Sequence, residues 1–175
     1  AQAPSISTCD SAMGGQGGGV LADWLVKIGE KAGYYVQSTS VPGVAQRTGT
    51  TIYYLELFPE GLNEQTPIMA LMPIPGDVDV VVAAELAEAG RAVQRGIVTP
   101  DRTTLIASSH RYYALSEKSA MGDGRSSSPK IKEAIDGAAK RLICFDMQAL
   151  AETNDTVISA ALFGALAGST VLPFS

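Results

Sequence analysis

The sequence predicts an α/β fold, namely a three-layer α/β/α, Rossmann-like domain with a mostly parallel central sheet. Short β-rich runs alternate with helical runs along the chain. A near-continuous valine run at residues 78–83 is typical of a parallel strand that is covered on both faces. A glycine-rich turn joins the first predicted strand to the first predicted helix. The 175 residues suit a single domain spanning residues 1–175.

The first unit begins with a predicted strand at residues 6–12 and continues through the glycines into a helix. Leu21, Leu25 and Ile28 recur there at four- and three-residue spacing, which is the period of one helix face. Gly33 is expected to end this helix, because glycine readily adopts the left-handed conformation that follows a last helical turn.

Two further strands are predicted at residues 34–38 and 50–58, with a loop at residues 39–49 between them. The second run is rich in β-branched and aromatic residues, which suit a pleated, half-buried surface. The valine run at residues 78–83 should form a central strand of the sheet.

The second half of the chain continues the alternation. We predict helices at residues 86–95 and 130–140 and strands at residues 103–108 and 142–145. Residues 121–129 have the composition of a surface loop. Asn154 and Asp155 suit the N-cap of a last helix, from about residue 155 to residue 167. That helix is apolar almost all round, so we expect it in the core or in a subunit contact.

Charge and composition exclude several classes of protein. The net charge is −5 and no lysine–arginine cluster occurs, so nucleic acid is not an expected partner. No segment reaches the roughly 18 apolar residues of a membrane span, so a membrane is not expected either. Cys9 and Cys144 form neither a disulfide framework nor a metal-ligand cluster, which fits a reduced, cytoplasmic compartment without a metal site.

The turn between the first strand and the first helix is a candidate anion site. Helix N-termini attract anions through their free amide groups and the positive end of the helix dipole. The spacing of the glycines in this turn fits the G-x-G-x-x-G fingerprint of dinucleotide-binding domains only loosely. Residues 37–39, at the end of the second predicted strand, include no acidic residue to bind the ribose hydroxyls of NAD. A tight turn without a ligand is the alternative. The candidate cofactor-binding residues here are Gly14, Gly15, Gln16, Gly17 and Gly18.

The loop after the second predicted strand is a second candidate, with Ser40, Gln46 and Arg47 as cofactor-binding residues. Loops at the carboxyl ends of strands line the ligand crevice of open α/β sheets, so this loop and the glycine turn should converge on one anion. Arg47 would then contact a phosphate or carboxylate, and a surface arginine paired with a nearby acid is the alternative. No catalytic residue is predicted, because the sequence contains no G-x-S-x-G motif, and Ser108 and Ser109 beside His110, the only histidine, are adjacent in sequence without implying the geometry of a catalytic triad.

Three blocks of the sequence carry a family resemblance: GGQGGGVLADW at residues 14–24, QSTSVPGVAQRTG at residues 37–49, and Asn154-Asp155-Thr156 before a run of small residues. Together they resemble the gamma-type domain of pyruvate and related 2-oxoacid ferredoxin oxidoreductases. The second block resembles the beta subunit of indolepyruvate ferredoxin oxidoreductase. Asn154 is a candidate cofactor-binding residue on this ground. Cys9-Asp10-Ser11 departs from the family pattern, because it interrupts the apolar strand before the glycines.

The resemblance implies a subunit or domain of a thiamine-diphosphate-dependent 2-oxoacid ferredoxin oxidoreductase with an indolepyruvate-like substrate. The complete enzyme would form an acyl-coenzyme A, carbon dioxide and reduced ferredoxin. Thiamine diphosphate and iron–sulfur clusters would lie in partner subunits or domains of an oligomer, and this chain would be inactive alone. No cofactor would be held firmly here, with coenzyme A as the expected contact of the glycine turn and Arg47.

Other interpretations stay open at this point. An independent nucleotide- or flavin-binding Rossmann-like domain would bind an adenine ligand or a chromophore without a partner. A pure scaffold would bind only its partner subunit. Because long indolepyruvate-type relatives continue beyond the point where this sequence stops, a fragment of a longer chain is a further interpretation.

Overall fold

The structure is a computed structural model that describes residues 6–13, 17–42, 50–61, 67–111 and 127–174. Six strands of this part of the chain form one sheet: β1 (Ile6–Met13), β2 (Tyr34–Val41), β3 (Thr50–Pro59), β4 (Val80–Ala83), β5 (Thr104–Ser108) and β6 (Arg141–Phe145). The helices in the described ranges are α1 (Gly18–Lys31), α2 (Leu86–Gln94), α3 (Ser128–Ile135), α4 (Met147–Thr153) and α5 (Ile158–Gly168).

The strand order is β2-β3-β1-β4-β5-β6, with β1 and β4 in the middle of the sheet. The pairs β1–β4, β4–β5 and β5–β6 are parallel, whereas β3 is antiparallel to both β1 and β2. All strands except β3 therefore run in one direction. This arrangement confirms the predicted α/β class, the mostly parallel sheet and the central place of the valine run.

Helices cover both faces of the sheet, and the alternation of side chains along the strands explains how. In β4, Val80 and Val82 pack with the apolar sides of α1 and α5, while Val81 and Ala83 pack with α2. All four of these side chains are buried. The helices that follow β1 and β4 thus lie on opposite faces although the two strands are neighbours. An open α/β sheet binds its ligands at such a switch point.

Helix α1 approaches the sheet closely because it carries glycines on its buried side. A Cβ added to Gly29 would lie 2.7 Å from Cγ2 of Val36 and 3.0 Å from Cδ2 of Leu57. The left-handed Gly33, with φ of 81°, then ends the turn that leads into β2, as expected from the sequence.

The Gly29→Ala variant is expected to lower the free energy of unfolding by about 1 to 2 kcal/mol, because overpacking outweighs the better helix propensity of alanine. Gly164→Ala in α5 is the matched control, since nothing lies within 4 Å of a Cβ added there. The control should stabilise the protein by up to about 1 kcal/mol. Urea denaturation of both variants gives the comparison, and effects of the same sign would contradict the close packing of α1.

Three predicted boundaries are wrong. The last helix begins at Ile158, not near residue 155, and a separate helix, α4, precedes it. Asn154 is the C-cap of α4, and Asp155 has a left-handed φ of 55° that separates the two helices. Helix α3 ends at Ile135 instead of residue 140, before the left-handed Gly137 with φ of 77°. Strand β2 extends to Val41, into the predicted loop.

The segment after β3 lies along the outer half of the sheet and exposes apolar side chains. Gln37 Nε2 donates to the carbonyl of Ala70 at 2.8 Å, and Thr39 Oγ1 donates to that of Leu71 at 2.7 Å. The exposed apolar residues of this segment, which we call the outer strap, are Ile68, Leu71, Met72 and Ile74.

Within the described ranges, no helix combines the length and the apolar content that a membrane crossing requires.

Candidate functional site

A groove opens where β1 leads into α1, beside the ends of β2 and β3. Its volume is about 670 Å³, within the range of roughly 300 to 1,000 Å³ that is usual for small-molecule sites. We call it the α1 groove. Its lining residues are Ala12, Gly17, Gly18, Gly19, Val20, Ala22, Asp23, Ser38, Thr39, Ser40, Thr51 and Tyr53.

Two glycines bring the first turn of α1 against the sheet. Gly17, at the N-cap, has a left-handed φ of 73°, and a Cβ there would lie 2.9 Å from Ser159 Oγ. A Cβ on Gly18 would lie 2.7 Å from the Cβ of Ala12 and 2.8 Å from Cε2 of Tyr53. A larger residue at Gly18 would push the helix away from β1 and β3, and one at Gly17 would be strained by the left-handed backbone, so the groove requires glycine at both positions.

The walls of the groove offer several kinds of recognition. The first turn of an α-helix has amide groups without an intrahelical partner, and Gly17 has no side chain to cap them. Tyr53 supplies an aromatic ring, Ser38 and Ser40 supply hydroxyl groups, and the exposed Asp23 supplies a carboxylate one turn into the helix. The amides suit an anion, whereas Asp23 suits a hydroxyl or amino group that donates.

Buried polar side chains lie beneath the first turn of α1. Asp10 is fully buried, and neither of its carboxylate oxygens has a hydrogen-bond partner in the described part of the chain. Its Oδ2 lies 3.1 Å from the position of a Cβ on Gly18. Burial raises the pKa of the Asp10 carboxyl to about 8. The hydroxyl of Ser159, beside Gly17, is also buried and unpartnered among the described residues.

Some of the residues predicted as cofactor-binding meet in this groove. Gly17, Gly18 and Ser40 all line it, although Ser40 is more than twenty positions away in sequence. The predicted residues Gly14, Gly15, Gln16, Gln46 and Arg47 lie outside the described residues. The described positions next to them share one edge of the sheet, since Met13 pairs with Thr50.

Asn154 lies elsewhere in the fold. It lines a mostly apolar groove of about 430 Å³ between α4 and α5, and its Nδ2 donates to the Leu150 carbonyl at 2.8 Å. The structure does not place Asn154 among the residues that line the α1 groove. Its side chain instead holds the last turn of α4.

Sequence reasoning missed Asp10, Asp23, Thr51 and Tyr53, which line or underlie the groove. Tyr53 and Thr51 could not be linked to the glycine turn, because the pairing of β3 with β1 is a long-range contact. The signal for Asp10 was the interrupted apolar strand, since a carboxyl in a strand covered on both faces needs an explanation.

A second charged cluster lies at the carboxyl edge, where α2 follows β4. Glu85 is fully buried and Glu88 nearly so, and both lie near Arg91. Arg91 Nε donates to Glu88 Oε1 at 2.9 Å, and Thr50 Oγ1 donates to the same oxygen at 2.8 Å. The cluster therefore ties α2 to the first residue of β3.

Within the described ranges, no group of three or more His, Cys, Asp or Glu side chains is arranged to hold a metal ion.

Fold and groove together define the chain as an α/β domain with a candidate ligand site at the N-terminus of the helix that follows a central strand. The model of the pyruvate ferredoxin/flavodoxin oxidoreductase family matches residues 9–175. The chain belongs to this family, which confirms the family-level prediction. The likeness to the indolepyruvate beta subunit in particular stays a prediction.

Solved structures share the fold. Pyruvate oxidoreductase subunit PORC of Thermotoga maritima is 16% identical with a TM-score of 0.62, over 97% of this chain and 79% of that one. The gamma subunit of a keto/oxoacid ferredoxin oxidoreductase from Geobacter sulfurreducens PCA is 12% identical with a TM-score of 0.59, over the same shares.

A third solved structure is much longer than this chain. The 2-oxoglutarate:ferredoxin oxidoreductase of Magnetococcus marinus, solved with 2-oxoglutarate, coenzyme A and succinyl-CoA bound, is 15% identical with a TM-score of 0.53. The match covers 94% of this chain and 24% of that one, so this chain spans about a quarter of its length. A search of curated protein sequences gave no match.

Proposed function

We propose that this chain is a subunit or domain of a thiamine-diphosphate-dependent 2-oxoacid ferredoxin oxidoreductase and that its α1 groove contacts coenzyme A. The complete enzyme would convert an indolepyruvate-like 2-oxoacid to an acyl-coenzyme A, carbon dioxide and reduced ferredoxin. Thiamine diphosphate and the iron–sulfur clusters are assigned to partner subunits or domains, and this chain alone is inactive. The single observation that carries the coenzyme A contact is the α1 groove itself.

The chemistry of the groove fits parts of coenzyme A. Its phosphates suit the free amides of the first turn of α1, with Arg47 as a proposed charged partner. The adenine ring suits the face of Tyr53, and the ribose hydroxyls suit Asp23 and Ser40. The bound coenzyme A of the Magnetococcus marinus structure shows that an oxidoreductase containing this fold can hold that ligand.

Exposed apolar surfaces support the proposed assembly with other subunits or domains. In the outer strap, Ile68 is completely exposed, and Leu71, Met72 and Ile74 are each more than half exposed. Exposed large apolar side chains that lie close together in the chain often mark a contact with another protein surface. The small residues of α5 leave a second apolar surface beside Leu150. The subunit contact predicted for the last helix therefore stays part of the proposal.

Coenzyme A is expected to bind the purified chain in a calorimetric titration, and Ser40→Trp is expected to weaken that binding at least about tenfold by filling the groove. Arg47→Ala should weaken it by about tenfold as well, through loss of a charge-assisted hydrogen bond. The matched control is Gln94→Trp, which adds the same ring to an exposed position of α2, away from the groove.

The same titration with NADH and FMN distinguishes the alternatives. Tight binding of either in place of coenzyme A would favour an independent nucleotide- or flavin-binding domain. If none of the three binds, or if Gln94→Trp weakens binding as much as Ser40→Trp does, the coenzyme A contact at this groove is wrong. Neither outcome alters the family membership.

A further inference from the structure

Asp10 occupies an unusual position for a carboxyl group. It lies in the middle of β1, directly opposite Tyr53 of β3 and beside Val82 of β4. It has no exposed surface, and both oxygens lack hydrogen-bond partners in the described part of the chain. Its Oδ2 reaches the first turn of α1, because it lies 3.1 Å from where a Cβ of Gly18 would stand.

The surroundings of Asp10 favour the neutral acid. Tyr53 of β3 and Val82 of β4 lie beside it in the sheet, Thr8 precedes it by two residues on β1, and Ser159 of α5 lies next to Gly17, the neighbour of Gly18. Asp23, on the exposed side of α1, adds a negative charge. An ionised carboxylate buried without a partner is costly, so burial raises the pKa of Asp10 to about 8.

The N-terminus of α1, which lies next to Asp10, favours a single negative charge close to its first turn. Its first amides have no intrahelical partner, and Gly17 contributes no capping side chain. That charge can come from the ionised Asp10 carboxylate below the turn or from an anion in the α1 groove beside it. Because a carboxylate and an anion that both lie against the first turn of α1 repel each other, occupation by one disfavours the other.

We infer that Asp10 is a positioning residue of the α1 groove whose protonated form is required for a phosphate-type anion to bind at the N-terminus of α1, so that anion binding is coupled to proton uptake. The inference rests on the proposed function only in that the phosphates of coenzyme A would supply the anion. Inorganic pyrophosphate provides the same chemistry without the rest of that ligand.

The sign of the coupling follows from linkage. Above the pKa of Asp10, the free protein must take up a proton before the anion binds, so affinity should fall by about tenfold for each pH unit. Below that pKa, Asp10 is already neutral and contributes no pH dependence. Asp10→Asn keeps a neutral side chain of the same shape, so its affinity should not fall in this way.

Calorimetric titrations of wild type and Asp10→Asn with coenzyme A and with pyrophosphate, between about pH 6.5 and about pH 9.5 and in two buffers of different ionisation enthalpy, test the inference. The expected result is a proton uptake that, above the pKa of Asp10, is larger in wild type than in the variant by up to one proton per bound anion. Glu30→Gln serves as a control, because this exposed carboxylate near the other end of α1 does not line the groove and should not produce the coupling.

The outcomes separate the two proposals. If coenzyme A binds and the two proteins show the same pH dependence, the role of Asp10 is wrong and the proposed function stands. If only pyrophosphate binds, with proton uptake that Asp10→Asn lowers, the coenzyme A contact is wrong and the role of Asp10 stands. If neither probe binds wild type at any pH, both are overturned.

Discussion

Asp10→Asn is expected to raise the free energy of unfolding by about 5 kcal/mol near pH 8. The folded pKa of Asp10 lies about four pH units above its ordinary value of 3.8, and each unit corresponds to about 1.4 kcal/mol. The unfolded chain releases the proton in this range, whereas the folded protein keeps it. Folding therefore works against the ionisation of Asp10, and removing the acid removes that cost.

The pH dependence identifies the cause. Because the folded state binds more protons than the unfolded state, the contribution of Asp10 to stability falls as the pH rises from 3.8 to about 8 and is constant above that. The difference between wild type and Asp10→Asn should grow over the same window, apart from a constant offset for burying an amide. Urea denaturation at several pH values measures this difference.

Asp23→Asn is the matched control for this experiment, since the same chemical change is made at an exposed position of α1. Its effect should stay within about 0.5 kcal/mol at every pH. Parallel stability profiles of wild type and Asp10→Asn between pH 4 and pH 8 would show that Asp10 is ionised in the folded protein.

The position of Asp10 next to the α1 groove offers a reason for a destabilising acid at the centre of the sheet. Residues placed for binding often reduce stability, because the groups that recognise a ligand are left without partners in the free protein. Among the described residues, the side chains of Asp10 and Ser159 have no hydrogen-bond partner, and the N-cap Gly17 supplies no side chain to the first amides of α1. These groups surround the two glycines, Gly17 and Gly18, that bring the helix against the sheet.

The parts of the fold that the sequence predicts are those with a strong local pattern. Helix α1 follows from the spacing of Leu21, Leu25 and Ile28, and β4 follows from its valines, because helix periodicity and two-sided burial act over a few residues. The antiparallel place of β3 between β2 and β1 could not be predicted in this way, since it depends on the pairing of β3 with β1, from which α1 and β2 separate it in the sequence.

The last two helices show a second limit of prediction from sequence, because one residue type can serve at either end of a helix. Asn154 suits a helix N-cap by its chemistry, but the same side chain also serves at a helix end, where its amide bonds a free carbonyl. The N-cap aspartate of α4 is Asp146, whose Oδ1 accepts from the Ala149 amide at 2.9 Å. A seven-residue helix offers too few positions for a periodic pattern, so α4 escaped the sequence analysis.

Within the candidate site, the sequence predicted the glycines of the helix N-terminus but not the side chains that distant strands contribute. Gly17 and Gly18 were found because a strand–glycine–helix pattern is local. Ser40 joins them because β2 runs in the same direction as β1, with β3 between the two strands. Tyr53 was missed because only the register of β3 places it opposite Asp10.

Arg91→Ala is expected to lower the free energy of unfolding by about 3 kcal/mol, because it leaves two buried carboxylates without their common cation. Glu85 Oε1 lies 3.8 Å from Arg91 Nη2, and Glu88 Oε1 accepts from Arg91 Nε at 2.9 Å. The Arg91 side chain is itself 28% exposed, so it shields the pair while reaching water. Urea denaturation near neutral pH measures the loss.

Three further variants assign that loss to the charges. Arg91→Lys keeps the positive charge without the planar fork and should lose less than Arg91→Ala. Arg95→Ala removes an exposed arginine at the end of the same helix and should cost less than about 1 kcal/mol. Adding Glu88→Gln to Arg91→Ala should recover part of the stability, because one of the two buried carboxylates near the removed guanidinium is then replaced by a neutral amide.

If Arg91→Ala costs no more than Arg95→Ala, the cluster does not hold α2 to the sheet. If it costs several times more, buried carboxyl groups have opposite effects on stability at the two helices that begin at the carboxyl edge of the sheet. On the α2 side, charges are buried with partners, and Thr50 joins them to the start of β3. On the α1 side, Asp10 is buried without a hydrogen-bond partner among the described residues. The first arrangement stabilises the fold, and the second leaves a helix end free for a ligand.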